Sequence, residues 1–392
     1  MATTIVRRFE VPVATGDGLP AMATAIGQAV DGLMPGEIQR AVATVPRPPL
    51  VEVRLEGEVS AVSRAMARVA NVPRVRIQND VVRIKKNGAG GRDYPDLLAR
   101  IMIGAESIPA AKGAEVTVAI VDSGLMVEHP VFANHLWPGE GGVPGRQFIQ
   151  GQPPDDIADE DGHGTLVAGT VLAAALDAPV KLLAAKFFDT AHPARPENAA
   201  DALRFAAANA QILVLAWDVG IGSLDLEAAF REACQRALVV VAAGNYGSDN
   251  DWYGGSTLAR APVRYTKDNA TRTLTVMALD ESEKAWFSNY GRTSVDLAAP
   301  GVRITSTRRA VAGKAAAQPT SFRTHGGTSA AAAHVGGAAA LLMSRYPTLG
   351  VPQIKRCLVE SVKKVPGLKC ASGGRLDVGA ALARAAQEVK KP

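Results

Sequence analysis

Four residues in this chain are of the types that acyl transfer needs. Ser329 follows His325-Gly326-Gly327-Thr328 and opens a run, residues 330–343, that is almost free of polar side chains. Glycines before a serine permit a tight turn, which predicts an exposed hydroxyl at the start of a buried helix. His163 lies in Asp161-Gly162-His163-Gly164-Thr165, ahead of a second helical run at 164–175. Asp122 comes directly after the apolar stretch Val118-Ala119-Ile120-Val121, and Asn245 after Val239-Val240-Val241-Ala242-Ala243-Gly244. Singly, each has an ordinary reading: a turn aspartate, a surface histidine at a helix start, an asparagine in a left-handed turn. Together they supply a nucleophile, a base, a carboxylate to orient the base and a donor for an oxyanion. Such a donor is worth about 10²–10³ in rate.

Elements able to position these groups are visible in the pattern. Apolar runs at 116–121, 180–187, 212–216, 238–242, 274–278 and 295–298 read as strands. They alternate with helical stretches at 164–175, 198–208 and 226–236, and helices at 349–361 and 378–387 close the chain. Continuous apolar strands separated by helices predict an α/β fold, a mostly parallel sheet flanked by helices. In such sheets functional residues collect at the carboxyl ends of strands, where Asp122 and Asn245 fall.

The first part reads differently. Strands at 5–13, 39–45, 50–56 and 75–85, with helices at 19–33 and 59–69, give the order βαββαβ. This predicts a small ferredoxin-like α+β domain over residues 1–86, with Asn79-Asp80 as a turn or bulge in its last strand. A glycine-rich and charged linker at 87–95 joins it to a second domain at 96–392.

Composition narrows the function classes. Hydrophobic residues make up 47% and charged residues 21%, as in a globular protein. The formal charge of +5 is mild, and the basic residues are scattered rather than gathered in a stripe, so nucleic acid is not an expected partner. No run approaches the roughly 18 apolar residues of a membrane span, and the N-terminus lacks the apolar segment of a secretory signal. A cytoplasmic protein without membrane attachment is expected. The three cysteines, Cys234, Cys357 and Cys370, make no disulfide framework. A Cys357–Cys370 pair and a fully reduced state both stay open. The six histidines show no HExxH or paired spacing, so no metal ligand is assigned.

The order Asp122, His163, Ser329 is that of subtilisin rather than of chymotrypsin or the α/β-hydrolases. On Val121-Asp122-Ser123-Gly124, Gly162-His163-Gly164-Thr165, Ala242-Ala243-Gly244-Asn245 and Gly327-Thr328-Ser329-Ala330-Ala331, with His334-Val335, the chain resembles the subtilase family of serine proteases. Phe287 to Gly291, Asp296 to Gly301 and Gly374 to Asp377 also match, and the likeness runs from about Asp93 to Ala386. The resemblance implies a subtilisin-like catalytic domain and serine endopeptidase activity. Ser329 would be the nucleophile, His163 the acid and base and Asp122 its orienting carboxylate. Asn245 and the Ser329 amide would serve the oxyanion. Substrate would add as a strand along Leu215-Ala216-Trp217-Asp218, with Gly244 on the facing wall.

The resemblance further implies that the N-terminal module is a propeptide-like folding aid and intramolecular inhibitor, its tail at 82–91 lying in the cleft and cut by the enzyme itself. The alternative is a permanent regulatory domain relieved by an activating protein partner. No cofactor is required. Calcium is a common stabiliser in the family, and the acidic run Asp155, Asp156, Asp159, Glu160, Asp161 offers oxygens, but no calcium site is assignable. Asp218 stands where the family usually has glycine. With the acidic stretch 248–252 it suggests a pocket for basic side chains. Alanines replace a usual methionine and proline at Ala330 and Ala333, leaving room under Ser329, and Leu166 replaces a frequent histidine. Two other readings are a catalytically silent peptide-binding or assembly module, and a transpeptidase or macrocyclase. The second would need a lid to exclude water, and no inserted segment resembles one.

Overall fold

The computed structural model describes the backbone at 4–12, 38–47, 50–58 and 78–85, and full residues at 103–105, 108, 113–252, 260–280, 283–308 and 322–390. The chain divides into two compact units, residues 1–98 and 99–392.

In the first unit β1 (Thr4–Pro12), β2 (Ile38–Arg47), β3 (Leu50–Glu58) and β4 (Gln78–Lys85) form an antiparallel sheet in the order β2-β3-β1-β4. That order follows from a βαββαβ chain, in which β3 and β4 flank β1 on opposite sides. Arg8 pairs with Val81 but Glu10 with Gln78, so β4 carries one extra residue at Asn79-Asp80. The helices expected at 19–33 and 59–69, and the linker at 87–95, lie outside the described residues.

The second unit is a mostly parallel sheet. Its central strands are β5 (Val116–Asp122), β6 (Gly145–Gln147), β7 (Val180–Lys186), β8 (Ile212–Leu215), β9 (Leu238–Ala242), β10 (Thr273–Asp280) and β12 (Leu297–Pro300). The short β11 (Glu283–Lys284), β15 (Lys363–Lys364) and β16 (Gly374–Arg375) are added at or near one edge. The order along the sheet is β15-β16-β12-β10-β9-β8-β5-β7-β6. From β5 the chain builds outward through β7, then returns to lay down β8, β9 and β10 on the other side. The strand order therefore reverses between β5 and β8, and the carboxyl ends of those two strands open the crevice.

Both faces of the sheet are covered, which is why its strands read as continuous apolar runs. Along β5, Val118 and Ile120 belong to one core while Ala119 and Val121 belong to the other. The first core is closed by α1 (His163–Ala175) and α4 (Thr328–Arg345), with α5 (Val351–Glu360) and α6 (Val378–Glu388) beyond them. The second is closed by α2 (Pro196–Asn209) and α3 (Leu224–Arg236). Helix α4 is buried from Thr328 to Leu342, as its lack of polar side chains predicts. The alanines expected to leave room under Ser329 are buried: Ala330 packs on Ile304, and Ala331 to Ala333 join the main core. The hairpin of β13 (Ile304–Thr307) and β14 (Phe322–His325) delivers the chain into α4.

All three cysteines are free and buried, Cys357 in the main core and Cys370 in a separate cluster with Met277 and Leu279. Burial pushes the Cys234 thiol up to about 12. Among the described residues no helix is long and apolar enough to cross a membrane.

Candidate active site

Strand β5 carries Asp122 to its carboxyl end, fully buried. Its Oδ1 accepts from the Ser123 amide at 2.8 Å and from His163 Nδ1 at 2.8 Å. Its buried Oδ2 has no hydrogen-bond partner among the described residues. His163 is the first residue of α1, which starts against the end of β5. A Cβ on Gly164 would lie 2.2 Å from the Gly124 carbonyl oxygen, so only glycine permits that approach.

The residue before the helix, Gly162, has no side chain to cap it. Asp159 does so from farther back. Its Oδ2 accepts from the Thr165 amide at 2.8 Å and hydroxyl at 2.6 Å, and its Oδ1 from the Gly162 amide at 2.7 Å and the Ser123 hydroxyl at 2.8 Å. A carboxylate at a helix N-terminus also complements the dipole. One buried group thus joins the loop after Asp122 to the helix that starts at His163.

With Nδ1 donating to Asp122, Nε2 of His163 is the nitrogen left with a lone pair when the ring is neutral. The side chain is 29% exposed. Burial works against its charge, but the attraction and hydrogen bond of Asp122, helped by Asp161 and Asp159, outweigh it and raise the imidazole from 6.5 to about 9. Two further imidazoles stay neutral. Burial, with repulsion from His163, Arg323 and His334, pushes His325 down to about 3, and burial pushes His334 down to about 4.

Ser329 lies in the first turn of α4 and is 7% exposed, so its hydroxyl is largely buried rather than standing out as the glycine turn predicts. The helix begins inside the molecule, which explains the difference. The hydroxyl donates to the Ala216 carbonyl at 2.8 Å, not to the His163 ring. Gly327 enters the helix at φ 146°, a conformation that needs glycine. A Cβ placed there would lie 3.5 Å from Asn245 Nδ2, 3.7 Å from the Ser329 amide nitrogen and 3.8 Å from Ser329 Oγ. Two donors and the hydroxyl therefore border one small space. The Asn245 amide cannot be reversed, because its Oδ1 accepts from the Thr328 backbone N–H at 2.9 Å and from the Thr328 hydroxyl at 2.9 Å.

Two walls enclose a pocket of about 660 Å³. On one side are Ala216, Trp217 and Asp218, leaving β8; on the other are Gly244, Asn245 and Tyr246, leaving β9. Trp217 turns its indole into the core, where Nε1 donates to the Val121 carbonyl at 2.6 Å and the ring meets Phe187. Asp218 offers no free charge: its Oδ1 is held by Arg260 and its Oδ2 by the Tyr246 hydroxyl at 2.9 Å. In the stretch 248–252, Asp251 turns inward to accept from Thr293 and Ser294, and Asp249 accepts from the Asp251 amide. The pocket expected for basic side chains therefore has its carboxylates engaged. The last three acids of the run ahead of His163 are engaged too: Asp159 as above, Glu160 with buried Lys186 at 2.8 Å, and Asp161 with the His163 amide at 3.2 Å.

The structure thus places Asp122 against His163 and Asn245 beside Ser329. Three organising residues carried no local signal of their role. Asp159 hides in the acidic run, and Arg260 is far along the chain from Asp218. Asn289, which accepts from the Tyr246 and Ser248 amides and donates to the Ala243 carbonyl, shapes the Asn245 loop. The family likeness of Phe287 to Gly291 was the one pointer to it.

Residues 113–374 match the profile of the subtilase family. Subtilisin DY of Bacillus licheniformis is 31% identical over 274 residues, which cover 66% of this chain and 88% of that protein. Alkaline elastase YaB of a Bacillus strain is 33% identical, over 63% of this chain and 59% of that protein. A protease from Pseudoalteromonas arctica has the same fold, with a TM-score of 0.58 and 23% identity over 70% of this chain and 91% of that one. On this profile match and these identities, the chain belongs to the subtilase family of serine endopeptidases.

Proposed function

We propose that this subtilase hydrolyses peptide bonds through an acyl-enzyme formed on Ser329, with His163 as general base and acid and Asp122 orienting it. The observation that carries this reading is the 2.8 Å bond from His163 Nδ1 to Asp122 Oδ1, which leaves Nε2 as the basic nitrogen. The Ser329 hydroxyl would turn from the Ala216 carbonyl toward Nε2, give up its proton there and attack the substrate carbonyl. The Asn245 amide and the Ser329 N–H would hold the resulting oxyanion. His163 would then protonate the leaving amine, and water would repeat the sequence to release the acid. Every group used belongs to the chain, so the chemistry asks for no cofactor.

Substrate polypeptide would lie along 215–218 as an added strand. The first unit would restrain activity as a propeptide-like inhibitor. What supports this is its compact sheet, with the strand order of a βαββαβ module, ahead of a subtilase domain. An activating protein partner would be needed if that unit is retained.

The test combines two measurements. An active-site serine probe is expected to label the wild-type and not Ser329→Ala, and the wild-type is expected to cut a complex peptide mixture. Equal labelling of both forms, or no turnover by a wild-type already cut free of its first unit, would leave a silent peptide-binding module. Intact masses of the same two proteins address the first unit: a fragment starting near residues 87–95 in the wild-type alone marks self-cleavage.

A further inference from the structure

We propose that the Asp218–Arg260 ion pair, closed by the Tyr246 hydroxyl, is a specificity bar across the side-chain pocket, confining cleavage to bonds that follow an uncharged residue. The proposal rests on the acyl-transfer reading of Ser329 and Asn245.

The pocket begins where a substrate side chain must enter. Asn245 and Thr328 line it, and they flank Ser329. The side chain of the residue whose carbonyl is attacked therefore points between the Ala216–Asp218 and Gly244–Tyr246 walls. The bar joins these two walls. Asp218 belongs to one and Tyr246 to the other, with the phenol donating to Asp218 Oδ2 at 2.9 Å. Arg260 comes from a third segment that is tied to the first by its backbone. The Val219 amide donates to the Ala261 carbonyl at 3.1 Å, and the Ala261 amide to the Gly220 carbonyl at 2.6 Å. Asp218 and Arg260 therefore rise side by side from bonded chains. The guanidinium donates to Asp218 Oδ1 and lies 4.9 Å from the centre of the Tyr246 ring.

Each member is thus committed to the other two. A lysine or arginine entering the pocket could reach Asp218 only by displacing Arg260, and an acidic side chain could reach Arg260 only by displacing Asp218. Either exchange trades one ion pair for another, for no net gain, and gives up a bond already made within the chain. An uncharged side chain disturbs neither. The other ionic groups lining the pocket do not change this balance. Glu227 pairs with Arg231 at 3.2 Å. Arg264 donates to the Ile221 carbonyl at 3.1 Å and lies over Tyr265, while Lys267 and Asp268 are exposed neighbours of opposite charge.

The bar predicts opposite outcomes for its two charged members. Cleavage of a peptide library by the full chain is read by mass spectrometry, with serine-probe labelling to report which proteins are folded and competent. Wild-type is expected to cut after uncharged residues. Arg260→Gln is expected to raise cutting after Lys and Arg about tenfold or more relative to uncharged residues, and Asp218→Asn to do the same for Asp and Glu. Tyr246→Phe keeps the ring and frees only Oδ2, so a smaller gain for Lys and Arg is expected. This variant decides the matter if the charge variants do not label. Wild-type cutting equally well after charged residues overturns the bar, as does an unchanged profile in variants that label. A wild-type that, once cut free of its first unit, neither labels nor cuts would instead overturn the acyl-transfer reading, and the bar with it.

Discussion

Trp217 Nε1 donates to the Val121 carbonyl at 2.6 Å, joining the wall of the cleft to the residue before Asp122. The pairing of β5 with β8 ends at Ile120 and Val214, so this bond extends the ladder with a side chain where the backbones diverge. It holds the strip proposed to bind substrate at a fixed distance from the carboxylate. Trp217→Phe keeps a ring against Phe187 but removes the bond and part of the buried indole. A loss of about 1–3 kcal/mol in stability is expected. At about 1.4 kcal/mol per decade, KM is expected to rise by up to about tenfold, with kcat changing less. Denaturant unfolding and steady-state kinetics check this. A stability loss with no change in KM would make the bond a matter of folding alone.

The raised imidazole makes stability and activity respond oppositely to pH. Because His163 titrates near 9 in the folded chain against 6.5 ordinarily, the stability its charge contributes is complete below pH 6.5 and is lost as pH rises through about 9. A general base must be neutral, so kcat/KM is expected to climb over the same interval. Asp161 is one source of the shift, and its Oδ1 accepts from the His163 amide, a role that asparagine can keep. In Asp161→Asn the acid limb of the pH–rate profile is expected to move to lower pH. The fall of the melting midpoint with pH should move down with it. An acid limb that stays in place would separate Asp161 from the base.

Much of this was legible because parallel sheets write themselves plainly. The strands at 116–121 and 238–242 are apolar runs broken at most by one threonine, and the residues that follow them, Asp122 and Asn245, are where the topology puts chemistry. Helix α1 begins at His163, one residue before the expected start, and β12 runs two residues beyond the expected strand. The hairpin of β13 and β14 was missed because each arm has four residues and most are polar. What could not be read locally depends on loops folding back. Asp159 finds Ser123 across 36 residues and Asp218 finds Arg260 across 42. The acidic residues that suggested a cation pocket are, in the fold, partners of groups that no periodicity brings near them.

Thr328, at the mouth of the pocket, is the group that should tune the oxyanion donors. The Gly244 amide donates to its hydroxyl oxygen at 3.2 Å, and that hydroxyl donates in turn to Asn245 Oδ1 at 2.9 Å. The Thr328 backbone amide makes a second bond to the same Oδ1 at 2.9 Å. Thr328→Val removes the hydroxyl and keeps the shape and the backbone bond. The Asn245 side chain is then held once rather than twice, and the Gly244 amide loses its partner, at a cost of about 1–3 kcal/mol. Because the donors act on charge that develops in the transition state, the loss is expected in kcat, by about tenfold, with KM within about twofold. Removal of the donor itself, Asn245→Ala, is expected to cost about 10²–10³. Thr328→Ser restores the hydroxyl and should recover most of kcat. A serine variant as slow as the valine variant would show that packing of the threonine methyl, not the hydroxyl bond, sets the geometry of Asn245.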